Sequence, residues 1–413
     1  MNIPVVTLAI VCVLIAVRQV GTVRLQIWQV MALGAGTVLI SGQITLPEAI
    51  SAINFDVLIF LFGMFIIGEA LEESGVLAHA VYNYFKRAHS VDALMLLVMI
   101  GFGSASAILM NDTLAIIGTP VVLLIARKHD MPPKLLLLAL AFSVTIGSVI
   151  SPIGNPQNLL IALNGTIADP FGSFFRWLFI PTVINLGIAF LLLKVYYRTE
   201  FHDSPLKYSQ EPIRNHNLAF LSKLSFQMVI VLIALKILSV ILRLNIEFRL
   251  TYIAVASALP ILVGSRQRWS IVRKIDWQTL AFFAAMFVLM DSVWRTEFFQ
   301  HILAENIRDV ASTEMILSVS ILLSQLISNV PLVALYQPLL IHAGTVTKGF
   351  MALAAGSTIA GNLFILGAAS NIIIIQNAEK KSHQTITFWE FARIGIPLTI
   401  LNGAVYWLFF SLT

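Results

Sequence analysis

Residues 147–160 read GSVISPIGNPQNLL, and they interrupt an otherwise apolar run at 134–165 with Ser151, Pro152, Gly154, Asn155 and Pro156. Each proline removes a helical donor and disfavours helix in the residue before it. The pattern predicts a broken helix, whose free carbonyls and half-helix ends are suited to hold an ion. A plain proline kink satisfied by neighbouring helices is the simpler alternative. Against it stands a second interruption, LGAASN at 366–371, inside the apolar run 349–377.

The surrounding chain is built for lipid. Of its 413 residues 58% are hydrophobic and 11% charged, where a soluble domain carries roughly 25% charged residues. Apolar runs long enough to span, without period-2 alternation, select helices, because backbone groups in hydrocarbon must be satisfied within the segment. The net charge of +5 is explained by basic cytoplasmic loops, not by nucleic acid. Cys12 is the only cysteine, which excludes an intrachain disulfide and a cysteine metal cluster. Met1 to Val17 lacks a basic n-region and a small-residue cleavage site, so it reads as a first span.

Ten spans are expected, at 4–17, 25–42, 55–72, 134–165, 173–197, 225–243, 249–264, 278–295, 349–377 and 391–411. Two further apolar stretches, 91–127 and 312–343, carry polar kinks reading MNDT (Met110 to Thr113) and SNVP (Ser328 to Pro331). They predict re-entrant helical hairpins, which are tolerated where protein or a water-filled cavity surrounds them. With the N-terminus outside, eighteen Lys and Arg residues fall in cytoplasmic segments and six in outside segments. That bias places both termini outside. Segments 76–90 and 297–310 read as interfacial amphipathic helices.

The chain repeats itself. At an offset of 222, Met64 meets Met286, Phe65 meets Phe287 and Glu69 meets Asp291. Further on, Asn111 pairs with Asn329 and Pro120 with Pro338, then Gly154 with Gly367 and Asn158 with Asn371. The expected fold is an all-α polytopic membrane protein of two inverted repeats, each with five transmembrane spans, one re-entrant hairpin and one broken helix. Repeat 1 covers 1–197, a cytoplasmic linker 198–223, and repeat 2 covers 224–413. Inverted repeats with discontinuous helices point to a secondary transporter.

Candidate binding residues are Asn111, Asp112 and Thr113 at the first tip and Ser328 and Asn329 at the second. The loops add Ser151, Gly154, Asn155 and Asn158, then Gly367, Ser370 and Asn371. Amides and hydroxyls both donate and accept, and half-helix N-termini favour anions. Asp112 is the candidate for proton coupling, since an ionisable group at membrane depth marks an ion or proton pathway. Its simpler role is to cap its own half-helix. Glu69 and Asp291 read as interfacial carboxylates, and Lys236 as a snorkelling lysine. The histidines have no metal-ligand spacing. The absence of HExxH, GxSxG and GxGD motifs argues against an intramembrane enzyme, whereas an ion channel is the alternative from another class.

These residues resemble the ion transporter superfamily, and most closely its arsenical-pump and anion-permease-like branch. The resemblance rests on ND-x6-TP (Asn111 to Pro120), SPIGNPQN (Ser151 to Asn158) and LISNVP (Leu326 to Pro331). It implies a scaffold domain, a mobile transport domain and an elevator-like motion in a prokaryotic inner membrane. Relatives include arsenite/antimonite extruders, sodium-coupled dicarboxylate or citrate carriers and sodium/proton antiporters. The dicarboxylate carriers use Ser-Asn-Thr at both tips, whereas here the tips read Asn-Asp-Thr and Ser-Asn-Val. The resulting expectation is an ion-coupled permease for a small inorganic ion, with proton-coupled arsenite/antimonite efflux first and sodium-coupled anion uptake second. No cofactor is expected beyond the coupling ion, H+ or Na+. The partners are the small ion, the bilayer and a second copy of the chain as a homodimer.

Overall fold

The computed structural model describes residues 2–17, 19–20, 23–86, 88–163, 167, 169–201, 213, 215–242, 249–298, 301 and 312–413. Residues 202–212 and 214 of the expected linker, and 299–300 and 302–310 of the second expected interfacial helix, lie outside the described residues. The first half comprises α1 (Ile3–Val17), α2 (Ile27–Ile40), α3 (Leu46–Ala52), α4 (Phe55–Glu73), α5 (Val76–Phe85), α6 (Val91–Leu109), α7 (Asn111–His129), α8 (Pro133–Ser148), α9 (Pro156–Leu163) and α10 (Pro170–Tyr196). The second comprises α11 (His216–Ile241), α12 (Leu250–Gly264), α13 (Arg268–Lys274), α14 (Trp277–Trp294), α15 (Thr313–Ile327), α16 (Asn329–His342), α17 (Thr347–Ile359), α18 (Ala369–Ser382) and α19 (Phe388–Leu412). Besides helices, the described residues form one short antiparallel ladder, Gln19–Val20 against Val23–Arg24.

The fold is all-α, as expected, but the ten spans are not ten long helices. Among the described residues five helices are long and apolar enough to cross a membrane, and six if α3 and α4, bent by 54°, form one span. The broken helices explain part of the difference, because each is divided into shorter pieces at its loop. The first arm of the first hairpin, α6, is itself one of the five. Its 19 residues rise about 28 Å at 1.5 Å per residue.

Helix starts repeat between the halves with the same offset of 222. Asn54 and Asp276 cap α4 and α14, accepting from the amides of Val57 (3.2 Å) and Thr279 (3.1 Å). Ser90 and Ser312 cap α6 and α15, accepting from Ala93 (3.2 Å) and Met315 (3.3 Å). Each cap satisfies an amide that the helix itself leaves unbonded.

The two helices before the broken loops form the centre. Every residue of α8 from Leu135 to Ser148 is buried, as is every residue of α17 from Gly349 to Ile359. Helices apolar all round belong in such a place. At Gly147, α8 approaches α6 so closely that a methyl group would overlap the Gly103 carbonyl. α10 and α19 run antiparallel, for Trp177 meets Phe410, Thr182 meets Tyr406 and Tyr196 meets Arg393. Around this centre Ile10, Leu33, Leu191, Val195, Val263 and Trp407 face outward, a display of apolar surface suited to lipid and not to water.

Candidate functional site

Both hairpins break at a single residue in the same unusual conformation. Met110 has φ 67° and ψ 146°, and Ser328 has φ 68° and ψ 159°. This region is almost reserved for glycine and costs about 1–3 kcal/mol for other residues. The break delivers Asn111 and Asn329 to the first position of α7 and α16, and both are buried. Both helix breaks fall within the polar kinks MNDT and SNVP of the sequence.

The first tip rests directly on the first broken loop, where the Asn111 backbone amide donates to the Gly154 carbonyl at 3.0 Å. The Asn111 side-chain carbonyl accepts from the Asp112 amide at 2.9 Å. Thr113 is buried beside them. Asp112 has one carboxylate oxygen, Oδ1, sealed from solvent without a hydrogen-bond partner. It sits in the first turn of α7, where the helix dipole favours negative charge.

The first loop, 149–155, is held chiefly by Asn158 in the first turn of α9. Asn158 Nδ2 donates to the carbonyls of Ser148 (3.3 Å), Val149 (3.4 Å) and Ser151 (3.0 Å). These are carbonyls that the broken helix leaves without an i+4 donor. The Ser151 hydroxyl accepts from the Ile153 amide at 3.3 Å. Gly154 lies against the Ser148 carbonyl so closely that no side chain fits. The second loop repeats the device, since Asn371 Nδ2 donates to the Gly361 carbonyl at 2.6 Å, the same ten-residue reach as from Asn158 to Ser148. Asn371 Oδ1 and the Ser370 hydroxyl are buried without a partner.

One residue absent from the sequence-based candidates ties the halves together. Thr358, at the end of α17, accepts from Asn155 Nδ2 (3.1 Å) and Gln157 Nε2 (3.4 Å) and donates to Asn158 Oδ1 (3.3 Å). Its hint in the sequence is its place three residues before Gly361, as Thr145 stands before Ser148. Gln325 on α15 donates to the Ala360 carbonyl at 2.7 Å, beside Gly367, and so links the second hairpin to the second loop. The second arms cross over: Asn377 of α18 donates to the Ile116 carbonyl of α7 (3.3 Å), and Gln337 of α16 to the Ile161 carbonyl of α9 (3.4 Å).

The interfacial carboxylates acquire different partners. Glu69 bonds Lys381 at 2.8 Å, and Glu72 bonds the same ammonium. α18 runs past the expected limit at 377 to Ser382, and this brings Lys381 to α4. Asp291 instead pairs within its own helix with Arg295 at 2.7 Å, which also reaches Glu48 at 2.6 Å. Among the described residues no group of His, Cys, Asp and Glu is placed to hold a metal ion.

This chain matches the model of the family described as citrate transporter over residues 10–350. It belongs to the citrate transporter family. Membership agrees with the resemblance to the ion transporter superfamily and makes the chain a transporter with membrane-embedded helices. A silicon efflux transporter of Oryza sativa subsp. japonica is 27% identical over 90% of this chain and 90% of its own. A Dictyostelium discoideum transporter named arsB is 23% identical over 89% of this chain and 84% of its own. The solved YdaH transporter of Alcanivorax borkumensis aligns over 99% of this chain and 96% of its own, with a TM-score of 0.49 and 14% identity.

Proposed function

We propose that this member of the citrate transporter family is a proton-coupled secondary carrier that exports a small inorganic hydroxy species, arsenite or antimonite first. Its two halves are inverted, both termini lie outside the cytoplasmic membrane, and the hairpins and broken loops move as one body. The observation that carries the reading is the first tip: Asp112 stands behind a strained break in the first turn of α7, with one oxygen buried and unpartnered, and the tip rests on a loop held by asparagine amides. A carboxylate in such a place is a proton or cation carrier by default.

Cargo class follows from the donor set. The tips and loops at 110–113, 151–158, 328–331 and 360–371 contain no Lys or Arg. Their amides and hydroxyls offer donors and acceptors together, which suits an uncharged hydroxide such as arsenous acid. A polyanion would meet the Asp112 carboxylate and no side-chain cation. The names of two relatives, a silicon efflux transporter and a transporter arsB, point the same way.

Sodium-coupled uptake of an anion, citrate included, is the second reading. It is favoured by the family's own description and by the two half-helix N-termini at Asn111 and Asn329. Inverted vesicles separate the two. Arsenite addition is expected to move protons in the parent, and Asp112→Asn to abolish that movement while the protein stays folded. Undiminished proton coupling in Asp112→Asn removes Asp112 from the mechanism, and sodium-dependent citrate flux without arsenite flux establishes the second reading.

A further inference from the structure

Two cavities lie against α7 and share part of their lining. The outer one holds about 490 Å³ and is lined by Glu72, Pro120, Arg127, Asp130 and Lys381 among others. The inner one holds only about 10 Å³ and is lined by Gly68, Glu69, Ile116, Pro120, Asn377 and Lys381 among others. That inner space is at the lower limit for a single water molecule. Pro120 and Lys381 are common to both, so Lys381 stands at the junction. Its ammonium is held from the inner side by Glu69 and from the outer side by Glu72. Ile116, on the inner wall, lies one helical turn beyond Asp112 along α7.

The pseudo-equivalent approach is arranged differently. A cavity of about 190 Å³ is lined by Phe287, Met290, Asp291, Trp294 and Pro331 among others. The first four correspond, at the offset of 222, to Phe65, Gly68, Glu69 and Glu72, which line the paired cavities. This cavity reaches Pro331, two residues from Asn329 at the second tip. Asp291 is bonded along its own helix to Arg295, whose second partner Glu48 lies on α3. No ion pair among the described residues crosses from Asp291 to a hairpin or a broken helix. One approach reaches its tip, and the other stops at an ion pair that joins α4 to α18.

We infer that Lys381 is the gate on the Glu69 side: bonded to Glu69 and Glu72 it closes the route to Asp112, and its release opens that route from the outer cavity. The inference rests on the carrier reading, but its test needs no cargo. In a Cys12→Ser background, Ile116→Cys reports access to the inner cavity through its reaction with a membrane-impermeant cationic thiosulfonate, applied to each face of sealed vesicles. Slow labelling is expected with Lys381 present, and labelling faster by about tenfold or more from one face with Lys381→Met, in line with losing a charged hydrogen bond. Lys381→Arg keeps the bridging charge and is expected to label slowly. Pro331→Cys is expected to label readily in the parent, from the opposite face. If Lys381→Met does not fold, Glu69→Gln with Glu72→Gln makes the same test from the other side of the bridge.

Unchanged labelling of Ile116→Cys in folded Lys381→Met overturns the gate, as does fast labelling in Lys381→Arg. Neither result touches the carrier reading, which stands or falls on the flux of Asp112→Asn.

Discussion

Asn377 donates its side-chain amide to the carbonyl of Ile116, 3.3 Å away, and Pro120, four residues on, is the reason that carbonyl is free. Proline has no N–H to close the helical bond to residue i−4. A side chain from α18 takes the place of a backbone donor in α7. Asn377→Ala is therefore expected to cost about 1–3 kcal/mol, the range for a buried acceptor left unsatisfied. In a Pro120→Ala background the helix supplies its own donor, and most of that cost should vanish. Thermal unfolding of the four proteins in detergent measures the coupling, and equal costs in both backgrounds would show that Asn377 acts elsewhere.

The strained tips allow a second prediction. At Ser328 a half-buried, small side chain sits at φ 68°. Ser328→Gly should raise thermal stability, by up to about 1 kcal/mol, because glycine adopts this region without penalty. Ser328→Val should lower it by about 1–3 kcal/mol, since a β-branched residue is a true outlier there. At Met110 the same glycine should not help, because the methionine is 5% exposed and its burial contributes about 1.5–3 kcal/mol. A melting temperature lowered by Ser328→Gly would mean that the hydroxyl, not the backbone, matters most.

A third prediction concerns α10 and α19. Thr182 bonds Tyr406 at 2.7 Å, and the antiparallel pairing brings Asn185 level with Asn402. Both side-chain amides are fully buried there, Asn185 beside the Tyr406 hydroxyl as well. Asn402→Leu alone is expected to destabilise by about 1–3 kcal/mol by setting carbon against the Asn185 amide. The double substitution Asn185→Leu with Asn402→Leu should cost clearly less than the sum, because paired apolar replacement removes both polar groups together. Additive losses in chemical or thermal unfolding would show that the two asparagines do not share a layer.

Much of this architecture was legible beforehand. The breaks at Met110 and Ser328 follow from polar tips within apolar runs, and the first loop from its two prolines. Loop residues Asn158 and Asn371 were visible as repeat partners, though not the ten-residue reach by which each binds a freed carbonyl. Capping residues Asn54, Asp276, Ser90 and Ser312 repeat at the same offset as Glu69 and Asp291, yet small polar residues before helices are too common to be noticed singly. Thr358 looked like one more residue in a buried helix. Only the repeat position it shares with Thr145 marks it, because its three partners lie some two hundred residues away.

Glu69 and Asp291 show the limit best. As sequence partners they carry the same charge at the same register of equivalent helices, and the pattern assigned them one role. The amino-acid sequence by itself determined the solvent of the chain, its helices, the places where they break and the repetition between its halves. All of these depend on apolar periodicity, proline and glycine, which act within a few residues. Only the tertiary structure decided that Glu69 meets Lys381 across α4 and α18 while Asp291 turns to Arg295 on its own helix. That choice depends on where a second helix ends in space, and a charge has no partner until packing brings one within a few ångströms.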